Sequence, residues 1–149
     1  MVDKVSMDLR QQEAYRFEAT FPGEKFPALV LDEAAPLGGG AGPNPSRLLA
    51  ASVGHCLASS LYLCTQKARI PLREIRVHAE ASLVRNEKGR LRIGGISVSV
   101  TPVLADSADA PRLDHCREIF EDFCVVTQSV RGGTPVTVSW GDVGSPSAP

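Results

Sequence analysis

Two cysteines, Cys56 and Cys124, occupy segments that suit reactive thiols. Cys56 follows an Asn44-Pro45 helix start through a run of small and apolar residues, and Cys124 comes where a later helix is expected to end. With no secretory signal in the sequence, two thiols 68 residues apart favour a catalytic dithiol over a structural bridge. A thiolate can attack a peroxide oxygen, and a second thiol can convert the resulting sulfenic acid into a disulfide.

The predicted helix positions give the two thiols different roles. Cys56 lies three turns into its helix, beyond the first turn where the helix dipole lowers a thiol pKa, so it needs a positive charge nearby. Cys124 is expected at a helix C-terminus, where the dipole disfavours a thiolate. Cys56 is therefore the predicted nucleophile and Cys124 the predicted resolving thiol.

Residues 31–140 resemble the family of osmotically inducible protein C and organic hydroperoxide resistance proteins. A Gly-rich linker precedes Asn44-Pro45, Cys56 follows within the helix, and residues 124–132 form a Cys-x-x-Ser/Thr-x-x-aliphatic-Arg-Gly run. The resemblance implies an antioxidant thiol peroxidase that reduces organic hydroperoxides under oxidative stress without metal, flavin or other cofactor. It also implies that Cys56 attacks the peroxide and that a dithiol reductant reopens the Cys56–Cys124 disulfide.

The same resemblance implies a catalytic arginine from the N-terminal region. Arg16 is the leading candidate, with Arg10 and Arg47 as alternatives. The family usually has a glutamate after Asn-Pro, which helps to hold that arginine, and this chain has Ser46; Glu33 is one replacement carboxylate. A second hypothesis is therefore a homodimer that binds a hydrophobic small molecule or uses Cys56 in another thiol reaction.

The remaining pattern predicts the elements that position these residues. Alternating apolar residues indicate a hairpin of residues 15–21 and 26–31 and a longer one of residues 75–83 and 91–100. The apolar phase of the longer hairpin changes at Gly94-Gly95, which predicts a bulge. Pro111 opens a second helix, and residues 134–140 read as a last strand. The prediction is an α+β fold of mostly antiparallel sheet in the order ββαββαβ.

The first helix, from Asn44 to about Lys67, is apolar or small on nearly every face. Such a helix is expected to be enclosed on all sides, and one chain of 149 residues offers little to surround it. We therefore expect an intertwined homodimer, with the substrate tail in an apolar pocket at its interface. Phe17, Phe120 and Phe123 are the predicted lining.

Other potentially reactive side chains are interpreted as structural. Cys64 and Cys116 each lie eight residues from a reactive cysteine, about 12 Å along a helix, beyond the ~7 Å limit for a disulfide, so both are expected to be core thiols. His55 points away from its neighbour Cys56 and is expected on a helix face. The sequence has no Cys-x-x-Cys motif, so no zinc site is predicted.

Length and charge limit the remaining possibilities. The chain of 149 residues fits one domain, with residues 1–9 and 141–149 expected to be flexible tails. A net charge of −1 gives no basic surface for nucleic acid or an anionic membrane. Without an N-terminal apolar run, the predicted location is the cytoplasm.

Overall fold

The computed structural model describes residues 3–144. Within these residues, two antiparallel sheets and three α-helices form an α+β fold, which confirms the predicted fold class. The strands are β1 (Asp8–Glu13), β2 (Arg16–Thr20), β3 (Leu29–Leu31), β4 (Leu72–Arg85) and β5 (Leu91–Leu104); the helices are α1 (Pro45–Lys67), α2 (Leu113–Ile119) and α3 (Val125–Gly132), with 3₁₀ segments at Ser107–Arg112 and Phe120–Phe123.

The first sheet contains the predicted hairpin and one strand that the sequence did not reveal. β2 pairs with β3 as expected, and β1 pairs with the other edge of β2, from Asp8 opposite Thr20 to Glu13 opposite Arg16. Every residue of β1 is exposed, so it lacks the apolar alternation that identifies a strand. Residues 8 and 9 belong to this strand rather than to the predicted flexible tail of residues 1–9.

The second sheet is the long β4–β5 hairpin, and it confirms the predicted bulge. The register shifts where Ser82 faces Gly95 and Leu83 faces Ile93, which leaves Gly94 as the extra residue. A Cβ at Gly94 would lie 2.7 Å from Val84 Cγ1, so the bulge is closed to larger residues.

Helix α1 forms where the sequence predicts it. Asn44 Oδ1 accepts a hydrogen bond from the Arg47 backbone N–H at 3.0 Å, and Pro45 occupies the first helical position. At Gly54 the helix lies so close to β4 that a Cβ would sit 3.1 Å from Val77 Cγ1. By length and composition α1 could also cross a membrane, but its packing on β4, β5, α2 and α3 identifies it as the core helix of the domain.

One chain covers only one face of α1. Val53, Leu57 and Leu61 are buried, whereas Tyr62 is 54% and Leu63 48% exposed. A single chain thus leaves part of α1 uncovered, as the sequence predicts, and the second copy that would cover it stays a prediction.

The C-terminal third differs most from the predicted order. A third helix, α3, follows Cys124, and residues 134–144 contain no helix or strand among the described residues. The predicted last strand at residues 134–140 is unpaired: Val136 and Val138 are each 84% exposed and Trp140 is 97% exposed. Residues 1–2 and 145–149 of the predicted tails lie outside the described residues.

Candidate active site

Cys56 lies on α1 and reaches the main apolar cluster of the domain. Its side chain is partly exposed and packs against a buried group formed by Val53, Leu57 and Cys124. The helix therefore brings Cys56 to Cys124, whose side chain is completely buried. Both cysteines are free thiols, and the two residues of the predicted pair pack against each other.

Cys124 caps the N-terminus of α3. Its Sγ accepts a hydrogen bond from the Thr127 backbone N–H at 3.4 Å and lies 2.9 Å from Thr127 Oγ1. The sequence pattern predicts Cys124 at the C-terminus of the preceding helix and does not indicate the helix that begins after it. The expectation that the local dipole disfavours a Cys124 thiolate is therefore wrong, because a helix N-terminus favours negative charge.

The two thiols shift each other's pKa in opposite directions. Burial raises the pKa of Cys56, and its hydrogen bond with Cys124 raises it further, while the backbone N–H groups of Val126 and Val125 oppose the change. Burial also raises the pKa of Cys124, but hydrogen bonds from Cys56 and from the Thr127 hydroxyl and N–H outweigh burial, so the net pKa is lowered. The first proton is therefore lost from Cys124, which carries the negative charge, and the proton that remains on Cys56 lies in the hydrogen bond between the two sulfurs.

The more acidic thiol and the more accessible thiol of the pair are thus different cysteines. Cys124 holds the thiolate more readily, but its side chain is 0% exposed. Cys56 is the partly exposed thiol of the pair. An external substrate can reach Cys56, and proton transfer across the shared hydrogen bond can give Cys56 the thiolate form.

An apolar cavity of about 530 Å³ adjoins the pair. Leu57 and Val53 from α1, Val98 from β5 and Phe120 line it together with Thr127, which also contacts Cys124. At its polar side, Arg131 Nη2 forms an ion pair with Glu121 Oε2 at 2.7 Å. Of the three predicted lining residues, Phe120 lies here; Phe17 lies on β2, and Phe123 is 57% exposed, so neither lines this cavity.

None of the predicted catalytic arginines lines the cavity beside the thiols in the single chain. Arg16 Nη2 pairs with Glu13 Oε2 at 2.9 Å, and its buried Nε has no hydrogen-bond partner. Arg10 lies on the exposed strand β1, and Arg47 lines a groove between α1 and β4. Among the described residues, no arginine is one of the main influences on the pKa of Cys56.

Asp32 is a buried carboxylate that the sequence analysis missed. Its oxygens accept hydrogen bonds from the backbone N–H groups of Glu33, Gly39 and Ala41, which fold the Gly-rich segment before α1. The bond from Ala41 lowers the pKa of Asp32 most, burial opposes this, and the charge of Arg16 adds to the lowering. The charge of Arg16 thus acts on Asp32, one residue before the predicted Glu33, while the ion pair of Arg16 is with Glu13. An aspartate at the entry to a Gly run was the available signal.

A second groove, here called the α1–β4 groove, lies on the other side of α1. It has a volume of about 850 Å³ and contains His55 and Ser46 from α1 and His78 and Glu80 from β4. His55 is exposed on the helix face, in keeping with its structural interpretation. Within residues 3–144, no group of three or more Cys, His, Asp or Glu side chains could hold a metal ion.

Cys64 and Cys116 form a disulfide, with their Cα atoms 5.7 Å apart. The expectation that both are unpaired core thiols is wrong. That expectation considered only pairs within one helix, whereas this bond joins α1 to α2 across 52 residues of sequence.

Comparison with known proteins identifies the family. The family of OsmC-like proteins matches residues 38–139, and the chain belongs to it. An OsmC-like protein from Mycoplasma pneumoniae is similar in structure with a TM-score of 0.72 and 14% identity, over 90% of this chain and 92% of that one. An OsmC-like protein of unknown function from Vibrio cholerae gives 0.70 and 14%, over 86% and 94%.

A third similar structure is described as an organic hydroperoxide resistance protein. It comes from Legionella pneumophila, with a TM-score of 0.61 and 23% identity, over 89% of this chain and 92% of that one. At these identities the structural likeness establishes the fold. No curated protein resembles the sequence closely enough to count as a match.

Proposed function

We propose that this protein is a cysteine-based peroxidase that reduces organic hydroperoxides through Cys56 and Cys124. The observation that carries the proposal is the meeting of these two free thiols beside an apolar cavity. Membership of the OsmC-like family and structural likeness to an organic hydroperoxide resistance protein support the same reaction class.

The reaction begins with loss of one proton from the thiol pair. The charge rests on Cys124, which takes the Cys56 proton as Cys56 attacks. The Cys56 sulfur bonds to one peroxide oxygen, the O–O bond breaks, and the alkoxide leaves as an alcohol after protonation. Cys56 is then a sulfenic acid. Cys124 attacks its sulfur, water leaves, and a Cys56–Cys124 disulfide forms. An external dithiol supplies two electrons and two protons to restore both thiols.

The shape and polarity of the cavity support a hydrophobic hydroperoxide as substrate. Val53, Leu57, Val98 and Phe120 offer apolar contacts, and burial of apolar substrate atoms gives roughly 25 cal/mol per Å². Hydrogen peroxide has no apolar tail and gains nothing from these side chains. A substrate tail would therefore distinguish organic hydroperoxides from hydrogen peroxide in KM.

A homodimer is proposed as the working form. The exposed face of α1 and the unpaired residues 134–140, with Val136, Val138 and Trp140 exposed, leave apolar surface that a second copy would cover. Phe17, Phe123 and Arg16 would contribute to the site through this assembly, because none of the three lines the cavity in one chain. The proposed location is the cytoplasm, with no nucleic acid or membrane as partner.

The alternative is a dimer that binds a hydrophobic molecule without reducing peroxide. Two observations favour it. Among the described residues, no arginine is a main influence on the pKa of Cys56. The chain also has Ser46 where the family usually has a glutamate. On this alternative the cavity would be the binding site and the thiols would be unreactive toward peroxide.

Peroxide consumption distinguishes the two functions. We expect the protein to consume cumene hydroperoxide with dithiothreitol as reductant and to form the Cys56–Cys124 disulfide when the reductant is omitted. Cys56→Ser should abolish consumption. Cys124→Ser should still oxidise Cys56 once, more slowly because the base that takes the Cys56 proton is lost, and the disulfide cannot form. Consumption no faster than with dithiothreitol alone would refute the peroxidase and leave the binding dimer.

A further inference from the structure

We propose that Cys64–Cys116 is a second redox site, a reversible disulfide that fixes α2 on α1 and thereby holds Cys124 against Cys56. The bond joins the last turns of α1 to the middle of α2, and the complete β4–β5 hairpin lies between its two cysteines in sequence. The Cα separation of 5.7 Å is within the usual range for a disulfide.

The two cysteines of the disulfide differ in exposure, so one of them is more open to attack. Cys116 is 0% exposed, whereas Cys64 is partly exposed. An external thiolate can therefore reach the Cys64 sulfur and leave the Cys116 sulfur as the departing thiolate. Thiol–disulfide exchange requires such access to one sulfur, so the bond is open to exchange although it is anchored in the core.

The second site is placed to control the first. Cys56 and Cys64 lie on the same helix, α1, eight residues apart, and Cys116 precedes Cys124 by the same interval through α2 and a 3₁₀ segment. Holding α2 at one end of α1 therefore restricts where the following segment can place Cys124.

The position of α2 depends on its contacts with the rest of the domain. The helix has seven residues, below the ~12–15 at which an isolated helix becomes even marginally stable in water, so it depends on tertiary contacts. Leu113 and Cys116 are its buried residues. Just before it, Arg112 Nη2 donates to the Ala68 carbonyl at the end of α1 at 2.6 Å, through an exposed side chain. The disulfide is the strongest link between α2 and α1.

The exchange reaction balances with a dithiol as reductant. One dithiol thiolate attacks Cys64 Sγ, the Cys64–Cys116 bond breaks, and Cys116 takes up a proton. The second thiol of the reductant then attacks the mixed disulfide, Cys64 leaves and is protonated, and the reductant closes to its cyclic disulfide. Two electrons and two protons pass to the protein. Oxidised glutathione reverses the reaction and is released as two molecules of reduced glutathione.

The first experiment follows this bond alone, in the full chain carrying C56S and C124S. Thiols are alkylated in denaturant and counted by intact mass. We expect none after equilibration with oxidised glutathione and two after dithiothreitol, with a fall in Tm of roughly 5–15 °C on reduction, as a closed loop of this length implies. A matched variant that also carries C64A should show no Tm response to dithiothreitol. Two free thiols under oxidising conditions, or an unchanged Tm, would overturn the proposal.

The second experiment measures the coupling in glutathione redox buffers without peroxide. Peptide mapping gives the fraction of each disulfide at equilibrium. C64A/C116A should weaken formation of the Cys56–Cys124 disulfide by at least about fivefold, at the low end of coupling between protein sites, and C56S/C124S should weaken formation of Cys64–Cys116 by the same factor. The second arm keeps the α1–α2 bond, so it decides the matter even if the first variant fails to fold. Unchanged midpoints would refute the coupling, whatever the outcome of the peroxidase assay.

Discussion

Cys124 Sγ lies 2.9 Å from Thr127 Oγ1 within the first turn of α3. The same residue also donates its backbone N–H to this sulfur at 3.4 Å. Thr127 is itself only 5% exposed, so water cannot readily replace its hydroxyl. The Cys-x-x-Thr spacing thus gives a buried thiolate two hydrogen-bond donors from one residue. Thr127 therefore positions Cys124 and favours its thiolate form.

Thr127→Val should raise the pKa of Cys124. Valine keeps the shape and the backbone N–H but removes the hydroxyl, one of the interactions that lower this pKa. A hydrogen bond to a charged group is worth about 1.5–3 kcal/mol, so we expect a rise of roughly one to two pH units. Thiolate absorbance in the ultraviolet against pH, in a C56S background, measures it. Thr127→Ser keeps the hydroxyl and should titrate like the parent; equal curves for all three would contradict the role.

Phe120→Ala should weaken binding of organic hydroperoxides selectively. Phe120 lines the cavity beside the thiols, so its removal takes apolar contact from the substrate tail. We expect KM for cumene hydroperoxide to rise about tenfold, which corresponds to about 1.4 kcal/mol, with little change in kcat/KM for hydrogen peroxide. Phe26→Ala is a control of equal size, because Phe26 is 54% exposed and does not line the cavity. A similar loss with both peroxides would indicate a structural effect instead.

Arg16→Ala tests whether the arginine acts on Cys56 in the assembled protein. If it does, the variant should raise the pKa of Cys56 and slow its alkylation near neutral pH, because the guanidinium no longer favours the thiolate. Alkylation rate against pH, in a C124S background, provides the measurement. Arg10→Ala removes a charge from the neighbouring strand and should leave the rate unchanged. If Arg16→Ala alkylates as fast as its parent, the site works without this arginine.

Local signals in the sequence predicted what local interactions decide. Asn44 starts α1 because its side chain accepts a hydrogen bond from a free backbone N–H, and Pro45 suits the first helical position because it has no N–H to pair. The apolar phase change at Gly94 marks the bulge. The start of α3 was hidden because Val125 and Val126 are β-branched, which disfavours helix, and because cysteine is not a usual cap residue. Only tertiary packing can stabilise a helix of such composition.

The missed features depend on contacts between distant segments. The Cys64–Cys116 bond follows from how α2 packs on α1, which no periodicity in the sequence encodes. Strand β1 is exposed throughout and is held by backbone pairing with β2, so its side chains carry no burial pattern. Residues 134–140 do carry a strand pattern, but the described residues of one chain offer it no partner. The strand at residues 134–140 therefore stays a prediction, which the proposed homodimer would satisfy.

Asp32→Asn should remove part of the acid sensitivity of folding. The folded-state pKa of Asp32 is lowered, so its stabilisation is complete above the unfolded value of about 3.9 and is lost as pH falls through the lower folded value. The variant should have a Tm several degrees lower at neutral pH and a shallower fall in Tm below pH 4. Thermal unfolding from pH 2 to 7 tests both. Asp3→Asn, at an exposed position near the N-terminus, should follow the wild-type curve.

Trp140 provides a direct readout of the proposed dimer, because it is the only tryptophan of the chain and is 97% exposed in the single copy. If residues 134–140 pair with a second copy, its fluorescence should be blue-shifted at micromolar concentration and should shift to the red on dilution as the dimer dissociates. Sedimentation should give about twice 15.9 kDa over the same range.

Val138→Asp places a charge in the same segment and should shift both measurements toward the monomer, since a charge buried without a partner is strongly unfavourable. Val5→Asp, at another almost fully exposed valine, is the matched control and should behave as wild type. A red-shifted emission that is independent of concentration, with a mass near 15.9 kDa, would show that the segment stays solvated and that the site must work within one chain.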